Sequence, residues 1–599
     1  MIAGHRETDA DVVVVGGGTA GLATAIAVKR SAPGLHVMVL EKAAGVGRHL
    51  LSGAIIDPAA FQRLLTPEEF ASLPLGIQVR KAEFRFLTAR GGAWRLPFVL
   101  PAMSDRGLWL ADLPKVAAAL AKIVENLGVE ILTGTAVEEL VFEGPLVSGV
   151  RCGDDVLTAR HVVLAEGPGG PLTAEIRRRF PELRAESPCH ALAIREMWQV
   201  PPKNGRVGDV AHTFGAPLGG RRYGGGFVYR PAADRVTVGF AVALDSGMPE
   251  GAFELFEAWK RHSFVARKLA GGTAIGYGAR LIPEAGWPGI PNDLQAGNVT
   301  LAGDAAGLVD PLALKGVHLG VEAGRLAGER IAAGSQKSSA DTWAILPEKP
   351  LPRDDLPFSA ALKRIRNHRA GFSYGLLAGM MGAGIAFVTH GLLPPGQCEP
   401  PSDLPNEEKR KTADSLSLPT HLSALESSLA QARLTAARAG EPPHVGIIDP
   451  AQCAGCPHPC WHFCPAGTYA PAATDSPADA PPSFMLKTAS TATPASSAAR
   501  AQMCGGQLPL AVSAPITADV FAGWKARTFW PIFSQAVLRA YGREKKSGGG
   551  EGRELDAGGR GWYRKGRFSK QKKEQQTLLG TKSRYAQRAF GIFFERHRH

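Results

Sequence analysis

With 599 residues the sequence is long enough for two or three domains, and with 45% hydrophobic residues it is too apolar for a chain disordered throughout. Eight cysteines in this length exclude a small secreted scaffold held together by disulfides. The net charge is +13, but residues 543–598 contain 16 Lys and Arg against 6 Asp and Glu, so this tail carries +10 and the rest only +3. The charge therefore indicates a basic tail and not a basic domain, and we expect no nucleic-acid partner.

The N-terminal part of the chain has the pattern of a nucleotide-binding unit. An apolar run at residues 11–15 predicts a strand buried on both faces of a parallel sheet, and residues 22–30 favour a helix. Three glycines lie between or at the start of these elements: Gly16, Gly18 and Gly21. Such glycines permit a tight turn, admit a pyrophosphate to the backbone and let the helix pack on the strand. A second strand at 35–40 leads to Glu41, which can accept hydrogen bonds from ribose hydroxyls, so we predict dinucleotide binding.

Two later strand ends of the same kind indicate which nucleotide is bound. The strand at 162–164 runs into Gly167, and the strand at 298–301 runs into Gly303 and Asp304, with a helix from about Gly316. An acid at such a strand end can accept a hydrogen bond from a ribityl hydroxyl, and the helix N-terminus can face the polar edge of a flavin. Since these pieces are spread over 300 residues, they predict an FAD domain interrupted by an inserted domain, whereas an NAD domain would be contiguous.

The residues after Glu41 are similar to those of a known family. The stretch KAAGVGRHLLSGA at 42–54 resembles electron-transfer flavoprotein–ubiquinone oxidoreductase and its bacterial, nitrogen-fixation-associated relatives. The resemblance covers about residues 10–470. It continues through LAEG (164–167), IREMW (194–198), HTFG (212–215), YGGGF (223–227), YGAR (277–280) and KGVH (315–318).

This resemblance implies electron transport with FAD as cofactor and requires no catalytic acid or base. The FAD residues it implies are Gly16, Gly18, Gly21, Glu41, Lys42, Ser52, Gly53, Gly167, Gly303, Asp304 and Gly316. A quinone headgroup would meet the backbone of the turn Tyr223, Gly224 and Gly225. Animal members often lack the acid of Gly303-Asp304, so the flavin site resembles the bacterial branch more closely. We interpret His212 and Glu196 as core residues with backbone partners.

Four of the cysteines stand together at the end of the region of resemblance. Their spacing is close to a bacterial ferredoxin run, with one extra residue before the third, in the order Cys453, Cys456, Cys460 and Cys464, followed by Pro465. Zinc is the alternative metal, with His458 and His462 as spare ligands. The CPAGTY stretch at 464–469 resembles the family's ferredoxin-like domain and favours a [4Fe-4S] cluster.

The family pattern is broken beyond this cluster. In the family, further cysteines follow in a C-x2-C-x2-C run, whereas here only Cys504 remains. The four cysteines could ligate one cluster by themselves, or they could be half of a two-cluster domain. From about residue 471 the chain turns to Ala, Ser, Thr and Pro and then to a basic tail. We hypothesise a reading-frame change near residues 470–500, and the alternative is a naturally disordered tail.

A charge-free apolar stretch of 23 residues at 371–393 is the membrane candidate. Its length permits a spanning helix, but its six glycines weaken that interpretation, and Gly371, Gly375 and Gly379 would give a helix a face of small residues. Insertion into one leaflet and a buried helix pair are the alternatives. Four basic residues that suit anionic headgroups precede the stretch: Lys363, Arg364, Arg366 and Arg369.

These patterns predict an α/β protein with a Rossmann-like FAD domain, an inserted antiparallel-sheet domain and a C-terminal ferredoxin-like segment. The predicted parts are 1–184 and 286–340 (FAD domain), 185–285 (inserted sheet), 341–395 (membrane-associated helices), 396–445 (connector), 446–470 (iron–sulfur segment) and 471–599 (tail). Residues 1–10 lack the features of a secretory signal. We expect a monotopic protein on the cytoplasmic face of the bacterial inner membrane.

The predicted function is transfer of electrons from a reduced electron-transfer flavoprotein to a membrane quinone. The partners would be that flavoprotein, the quinone and the membrane surface. One alternative keeps the fold but reduces isoprenoid double bonds, as geranylgeranyl reductases do, and would not need the cysteine run. Another is an FAD protein in which the truncated cluster domain leaves no working relay.

Overall fold

The computed structural model describes most of the chain up to residue 392. The described residues are 8–50, 53–97, 103–187, 189–219, 222–244, 252–337, 343–347, 349–369, 371–372 and 375–392, with two short strands at 469–470 and 483–484. The predictions for Ser52, for the four clustered cysteines and for the basic tail lie outside these residues.

The elements alternate between strands and helices in the first half and then become rich in strands. The strands are β1 (Ala10–Val15), β2 (Val37–Glu41), β3 (Ala54–Ile56), β4 (Ile77–Gln78), β5 (Lys81–Leu87), β6 (Ala93–Arg95), β7 (Trp109–Ala111), β8 (Glu130–Thr133), β9 (Glu139–Glu143), β10 (Leu146–Cys152), β11 (Asp155–Leu164), β12 (His190–Gln199), β13 (Asp209–Gly215), β14 (Gly224–Ala232), β15 (Arg235–Ala243), β16 (Thr273–Pro283), β17 (Gln295–Ala296), β18 (Val299–Leu301), β19 (Tyr469–Ala470) and β20 (Ser483–Phe484). The helices are α1 (Thr19–Ser31), α2 (Ala59–Leu64), α3 (Pro67–Ser72), α4 (Leu113–Asn126), α5 (Pro171–Arg179), α6 (Ala252–Arg261), α7 (Ser263–Leu269), α8 (Val317–Lys337), α9 (Ser359–Arg364) and α10 (Leu376–Val388).

The first sheet is the predicted Rossmann-like sheet. Its strand order is β17-β18-β11-β1-β2-β8, and the pairs from β18 to β8 are parallel. Strand β1 lies in the middle, and its apolar run is buried on both faces, as its sequence predicts. The sheet thus brings the carboxyl ends of β1, β2, β11 and β18 to one edge, where the predicted nucleotide residues begin.

Helices α1 and α8 lie against each other at unusually short range because α8 presents a stripe of glycines. A Cβ added to Gly324 would lie 2.5 Å from the Ala20 carbonyl oxygen, and one added to Gly328 would lie 2.6 Å from Ala27 Cβ. No side chain fits between the helices at these positions. Both helices start at the edge where β1 and β18 end, so their contact determines how far apart the two helix N-termini stand.

The second sheet has the order β16-β12-β15-β14-β13-β5-β6. It is antiparallel between β16 and β13, as predicted. The difference lies at its far edge, because β5 and β6 come from the segment assigned to the FAD domain, and β5 pairs in parallel with β13. Residues 81–95 therefore extend the second sheet to seven strands, a pairing across more than a hundred residues that no local pattern indicates.

The apolar stretch at 371–393 forms a shorter helix than predicted. Helix α10 begins after Gly375, which has a φ of +105°, so Gly371 and Gly375 lie outside the helix and do not share a face with Gly379. A Cβ on Gly371 would lie 2.8 Å from the Ala378 carbonyl oxygen, so the chain folds back on the helix there. Within the described residues, no helix combines the length and the apolar character that crossing a membrane requires.

Two of the basic residues before α10 donate hydrogen bonds to the end of that helix. Arg364 Nε donates to the Phe387 carbonyl oxygen, and Arg366 Nε donates to the Gly391 carbonyl oxygen at 2.8 Å. These carbonyls belong to the last turn of α10 and the residues after it, which have no partners within the helix. The end of α10 thus uses one N–H group of each of these two arginines, and contact of the basic residues with lipid headgroups stays a prediction.

The fully buried His161 on β11 gives a testable pH dependence. Its ring contacts the Ile345 carbonyl oxygen and Thr300 Oγ1, each at 2.9 Å, and burial lowers its pKa from 6.5 to about 4. Between these values the unfolded chain binds a proton that the folded chain does not, so the free energy of unfolding falls by about 3 kcal/mol as the pH drops from 6.5 to 4. In His161→Asn, which keeps a donor for Ile345, urea unfolding should depend less steeply on pH over this range. If the free energy of unfolding depends equally steeply on pH in both proteins, His161 does not have the lowered pKa described here.

Candidate functional site

The loop between β1 and α1 forms one wall of a cleft at the edge of the first sheet. Gly16 has a φ of +111°, and a Cβ there would lie 2.3 Å from the Ala165 carbonyl oxygen, so the turn requires glycine. Gly18 is the N-cap of α1, and a Cβ placed on it meets nothing within 4 Å. Gly21, inside α1, packs directly on the Gly16 carbonyl. The backbone thus faces open space at Gly18, next to the N-terminus of a helix, which is where an anion binds favourably.

Glu41 lies at the end of β2, beside the glycine loop. One carboxylate oxygen accepts from the Gly17 amide at 2.9 Å and the other accepts from the Ala43 amide at 2.8 Å. These two bonds fix the carboxylate, and each oxygen keeps a second lone pair that a hydroxyl group could use. The role of Glu41 as a ribose ligand stays a prediction.

The opposite wall comes from the ends of β11 and β18. Gly303 and Asp304 form a turn directly after β18, and a Cβ on Gly303 would lie 2.7 Å from Ala20 Cβ. Burial raises the pKa of the Asp304 carboxyl group, while the charge of Arg280 opposes this rise. Gly316 precedes α8, and a Cβ on it would lie 3.6 Å from Asp304 Oδ1. Gly167 follows β11, and Gly53 precedes β3.

Arg280 is a residue of this cleft that the sequence reasoning did not assign. It lies on β16 of the second sheet, its Nη1 donates to the His49 carbonyl oxygen, and its Nη2 would be 2.9 Å from a Cβ on Gly167. Burial lowers the pKa of its guanidinium group, while Asp304 and Glu41 raise it. The YGAR stretch resembles the family, but only the alternation of side chains along β16 could have indicated which of its residues reaches the cleft.

The charged groups that line the cleft all keep some accessible surface. Lys42 is solvent-exposed, yet the surrounding protein lowers the pKa of its ammonium group, and the charge of Arg280 lowers it further. Burial and the Lys42 charge lower the pKa of His49. Glu166, Arg280 and Asp304 are each partly accessible. Two cations and an open backbone therefore line a cleft whose chemistry suits an anionic dinucleotide.

The second predicted site, the turn Tyr223, Gly224 and Gly225, leads into β14. A Cβ on Gly224 would lie 2.3 Å from the Ala241 carbonyl oxygen, and Gly224 has a φ of +151°. The guanidinium carbon of Arg369 lies over the Tyr223 ring, 3.9 Å from the ring centre. The same ring stands edge-on to Phe372, with ring centres 4.7 Å apart. The residues just before α10 thus cover Tyr223.

His212 and Glu196 are core residues, as predicted, but their partners are side chains and not backbone groups. His212 Nε2 contacts Asp105 Oδ2 at 2.8 Å. Glu196 accepts from Lys260 at 2.9 Å and from the Trp198 indole at 2.7 Å. A buried carboxylate or imidazole needs a partner, and here distant charged residues supply it.

The four cysteines predicted to bind a metal lie outside the described residues: Cys453, Cys456, Cys460 and Cys464. Among the residues that the structure describes, no three His, Cys, Asp or Glu side chains are grouped as metal ligands would be. Within the described residues, Cys152 and Cys189 are not joined in a disulfide.

Comparison with known proteins accounts for both halves of this arrangement. The family model for the ubiquinone-binding domain of ETF-QO matches residues 190–282, which span β12 to β16, and a model for an NAD(P)-binding Rossmann-like domain matches residues 14–62. The mitochondrial electron transfer flavoprotein-ubiquinone oxidoreductase of Caenorhabditis elegans is 33% identical over 417 residues, covering 64% of this chain and 69% of that protein. The chain belongs to the electron transfer flavoprotein–ubiquinone oxidoreductase family.

Further members of this oxidoreductase family show similar agreement. The protein of the same name from Oryza sativa subsp. japonica is 32% identical, covering 63% of this chain and 69% of its own length. The mouse protein is 34% identical over 54% of this chain and 56% of its own.

Solved structures resemble the chain more distantly. A geranylgeranyl bacteriochlorophyll reductase-like protein from Thermoplasma acidophilum has a TM-score of 0.45 at 15% identity, covering 70% of this chain and 99% of that one. A likeness at this level says nothing about the substrate.

Proposed function

We propose that this chain takes electrons from a reduced electron-transfer flavoprotein and passes them, by means of FAD and an iron–sulfur cluster, to a quinone in the membrane. The observation that carries the proposal is the position of β16. This strand belongs to the sheet matched by the ubiquinone-binding model and places Arg280 in the nucleotide cleft. One sheet thus contributes to both candidate sites. When bound, FAD supplies redox chemistry that takes up and releases electrons.

The residues of the cleft fit FAD in charge and in shape. The open space at Gly18 and the N-terminus of α1 suit the pyrophosphate, whose negative charge Arg280 and Lys42 offset. Glu41 would accept from the adenosine ribose and Asp304 from the ribityl chain. The remaining residues predicted to line the site are Gly16, Gly21, Gly53, Gly167, Gly303 and Gly316, together with Ser52, which lies outside the described residues.

The quinone headgroup would bind at the turn Tyr223, Gly224 and Gly225. Glycines let a planar ring approach backbone groups that no side chain covers. Arg369 and Phe372 hold the Tyr223 ring from the side of α10, so the turn lies next to the apolar helix.

The surface of α10 supports contact with one leaflet of a membrane. Met380 and Met381 are 39% and 60% exposed, and Leu392 beyond the helix is 66% exposed. With 13 residues, α10 is about 20 Å long, less than the hydrocarbon thickness of about 30 Å. We propose a monotopic attachment to the cytoplasmic face of the bacterial inner membrane.

The cluster proposal depends on donor chemistry. Four thiolates at ferredoxin-like spacing suit a [4Fe-4S] cluster, and its ligands would be Cys453, Cys456, Cys460 and Cys464. The domain boundaries predicted from the sequence are part of the same proposal, with residues 81–95 added to the inserted sheet.

The test is anaerobic purification of the full chain, followed by flavin, iron and zinc analysis and a quinone-reduction assay with reduced electron-transfer flavoprotein. We expect stoichiometric FAD, iron without zinc, and quinone reduction. Cys460→Ser should lose iron and most electron-transfer-flavoprotein-dependent activity but keep FAD, while Cys152→Ser, a matched change at a free thiol, should lose neither.

Each assay has an outcome that would overturn one part of the proposal. Zinc in place of iron would refute the cluster. FAD and iron without quinone reduction would refute the acceptor. FAD without iron or electron transfer would indicate a protein whose relay does not work.

A further inference from the structure

Three buried titratable side chains form a cluster that the proposed electron transfer does not use. Asp105 Oδ2 lies 2.8 Å from His212 Nε2, and Asp105 Oδ1 lies 2.6 Å from Lys315 Nζ. Asp105 is fully buried, and His212 and Lys315 are 3% and 6% exposed. We call these residues the Asp105 cluster. Its members come from three places: the segment before β7, strand β13 of the second sheet, and the loop before α8.

The surroundings keep Asp105 ionised inside the protein. Burial alone would raise the pKa of its carboxyl group, but the hydrogen bond and charge of His212, together with Lys315, hold that pKa below its ordinary value. The His212 ring is stacked on Phe84 with ring centres 4.7 Å apart and stands edge-on to Tyr229 at 5.7 Å. The cluster is thus enclosed by aromatic rings, and a member removed on its own would leave a buried charge without its partner.

Lys315 connects this cluster to the cofactor loop. Its backbone amide and carbonyl both pair with Asp310, and its ammonium group also donates to the Ala313 carbonyl at 2.9 Å. Leu314, directly before it, has a φ of +58°, a strained conformation for leucine that persists only where neighbouring contacts enforce it. Gly316 follows, and its carbonyl accepts the first hydrogen bond of α8 from Gly320. The position of Lys315 therefore determines where α8 begins.

We propose that Asp105 and His212 are positioning residues for the FAD site, which they serve by anchoring Lys315 and with it the start of α8. The second sheet, through His212, thereby sets the position of the loop that faces Asp304. This inference rests on the proposed FAD site and identifies residues that act on it without touching the cofactor. We expect changes in the Asp105 cluster to weaken FAD binding, whereas loss of a buried ion pair elsewhere in the second sheet should lower stability without weakening it.

The chain contains a matched control. Glu196 and Lys260 form another buried ion pair of the second sheet, 2.9 Å apart, with side chains 4% and 11% exposed. In the part of the chain that the structure describes, no hydrogen bond or ion pair joins either residue to the loop before α8. A change there tests what the loss of any buried charge pair does to the protein.

The experiment titrates FAD into the deflavinated full-length chain and measures thermal unfolding of the same samples. Lys315→Met and His212→Leu should each weaken FAD binding by about tenfold or more, within the range usual for coupled sites. His212→Gln, which keeps a donor for Asp105, should restore the affinity to within about threefold of the original. Glu196→Gln should lower the melting temperature without changing the FAD dissociation constant.

A double variant, Asp105→Asn with Lys315→Met, covers the case in which a single variant does not fold. It leaves no unpaired buried charge but removes the anchor, so we expect it to fold and still bind FAD more weakly. The proposal is overturned if this variant binds FAD as tightly as the original chain, or if Glu196→Gln weakens binding to the same extent. If the original chain binds FAD but does not reduce quinone, the proposed function fails and the positioning role stands.

Discussion

Gly16→Ala is expected to destabilise the nucleotide domain and to weaken its binding of FAD, whereas Gly18→Ala should weaken only FAD binding. At Gly16 the φ of +111° is unfavourable for alanine, and the new Cβ would lie 2.3 Å from the Ala165 carbonyl oxygen. Strain and displacement of the β1–β11 contact should lower the free energy of unfolding by about 3 kcal/mol or more. At Gly18 a Cβ meets no protein atom within 4 Å, so the deflavinated chain should change by less than about 0.5 kcal/mol.

The same Cβ at Gly18 points into the space assigned to the pyrophosphate. FAD affinity should therefore fall by at least about tenfold, as for other overpacked contacts. Urea unfolding of the deflavinated chain, together with FAD titration, separates the two effects. Gly34→Ala, where a Cβ also meets nothing, is the control and should change neither quantity. If Gly18→Ala kept its full FAD affinity, the cofactor could not lie against this turn.

Gly328→Leu is expected to separate α1 from α8 and to lower the free energy of unfolding by about 3 kcal/mol or more. Already a Cβ at this position would lie 2.6 Å from both Ala27 Cβ and the Thr24 carbonyl oxygen. These are α1 backbone and near-backbone atoms, which no rotamer change can move. Because both helices start at the nucleotide cleft, the variant should also bind FAD weakly.

The control for this change is Ala333→Leu, which adds a similar side chain to an exposed position of the same helix. It should change the free energy of unfolding by less than about 0.5 kcal/mol. Urea denaturation monitored by circular dichroism compares the two. Equal stability of Gly328→Leu and Ala333→Leu would show that the two helices are not in close contact.

The nucleotide half of the molecule could be predicted from sequence because its signals are local. Three signals lie within 35 residues of each other: the apolar run of β1, the glycines after it and the acid at the end of β2. Each has a conformational reason.

The remaining features depend on contacts between residues far apart in the chain. The parallel pairing of β5 with β13 has no local signature, because β5 reads as any half-buried strand. The sequence shows the arginines before α10 as charges next to an apolar stretch, but not as donors to carbonyl groups at the end of that helix. Asp105 carries no motif at all, and only the fold brings it to His212 and Lys315. Charge patterns in sequence show which residues need a partner, but not which partner they find.

The reach of Arg280 from β16 into the cleft means that the nucleotide-binding half is not a transferable module. Excised at the boundaries that the sequence suggests, residues 1–184 would carry the glycine loop and Glu41 but would lack a cation that faces them from the other sheet. Recombination that exchanged the inserted sheet between relatives would have to conserve this one side chain. The sequences of the two halves can therefore diverge only if the positive charge of Arg280 is kept.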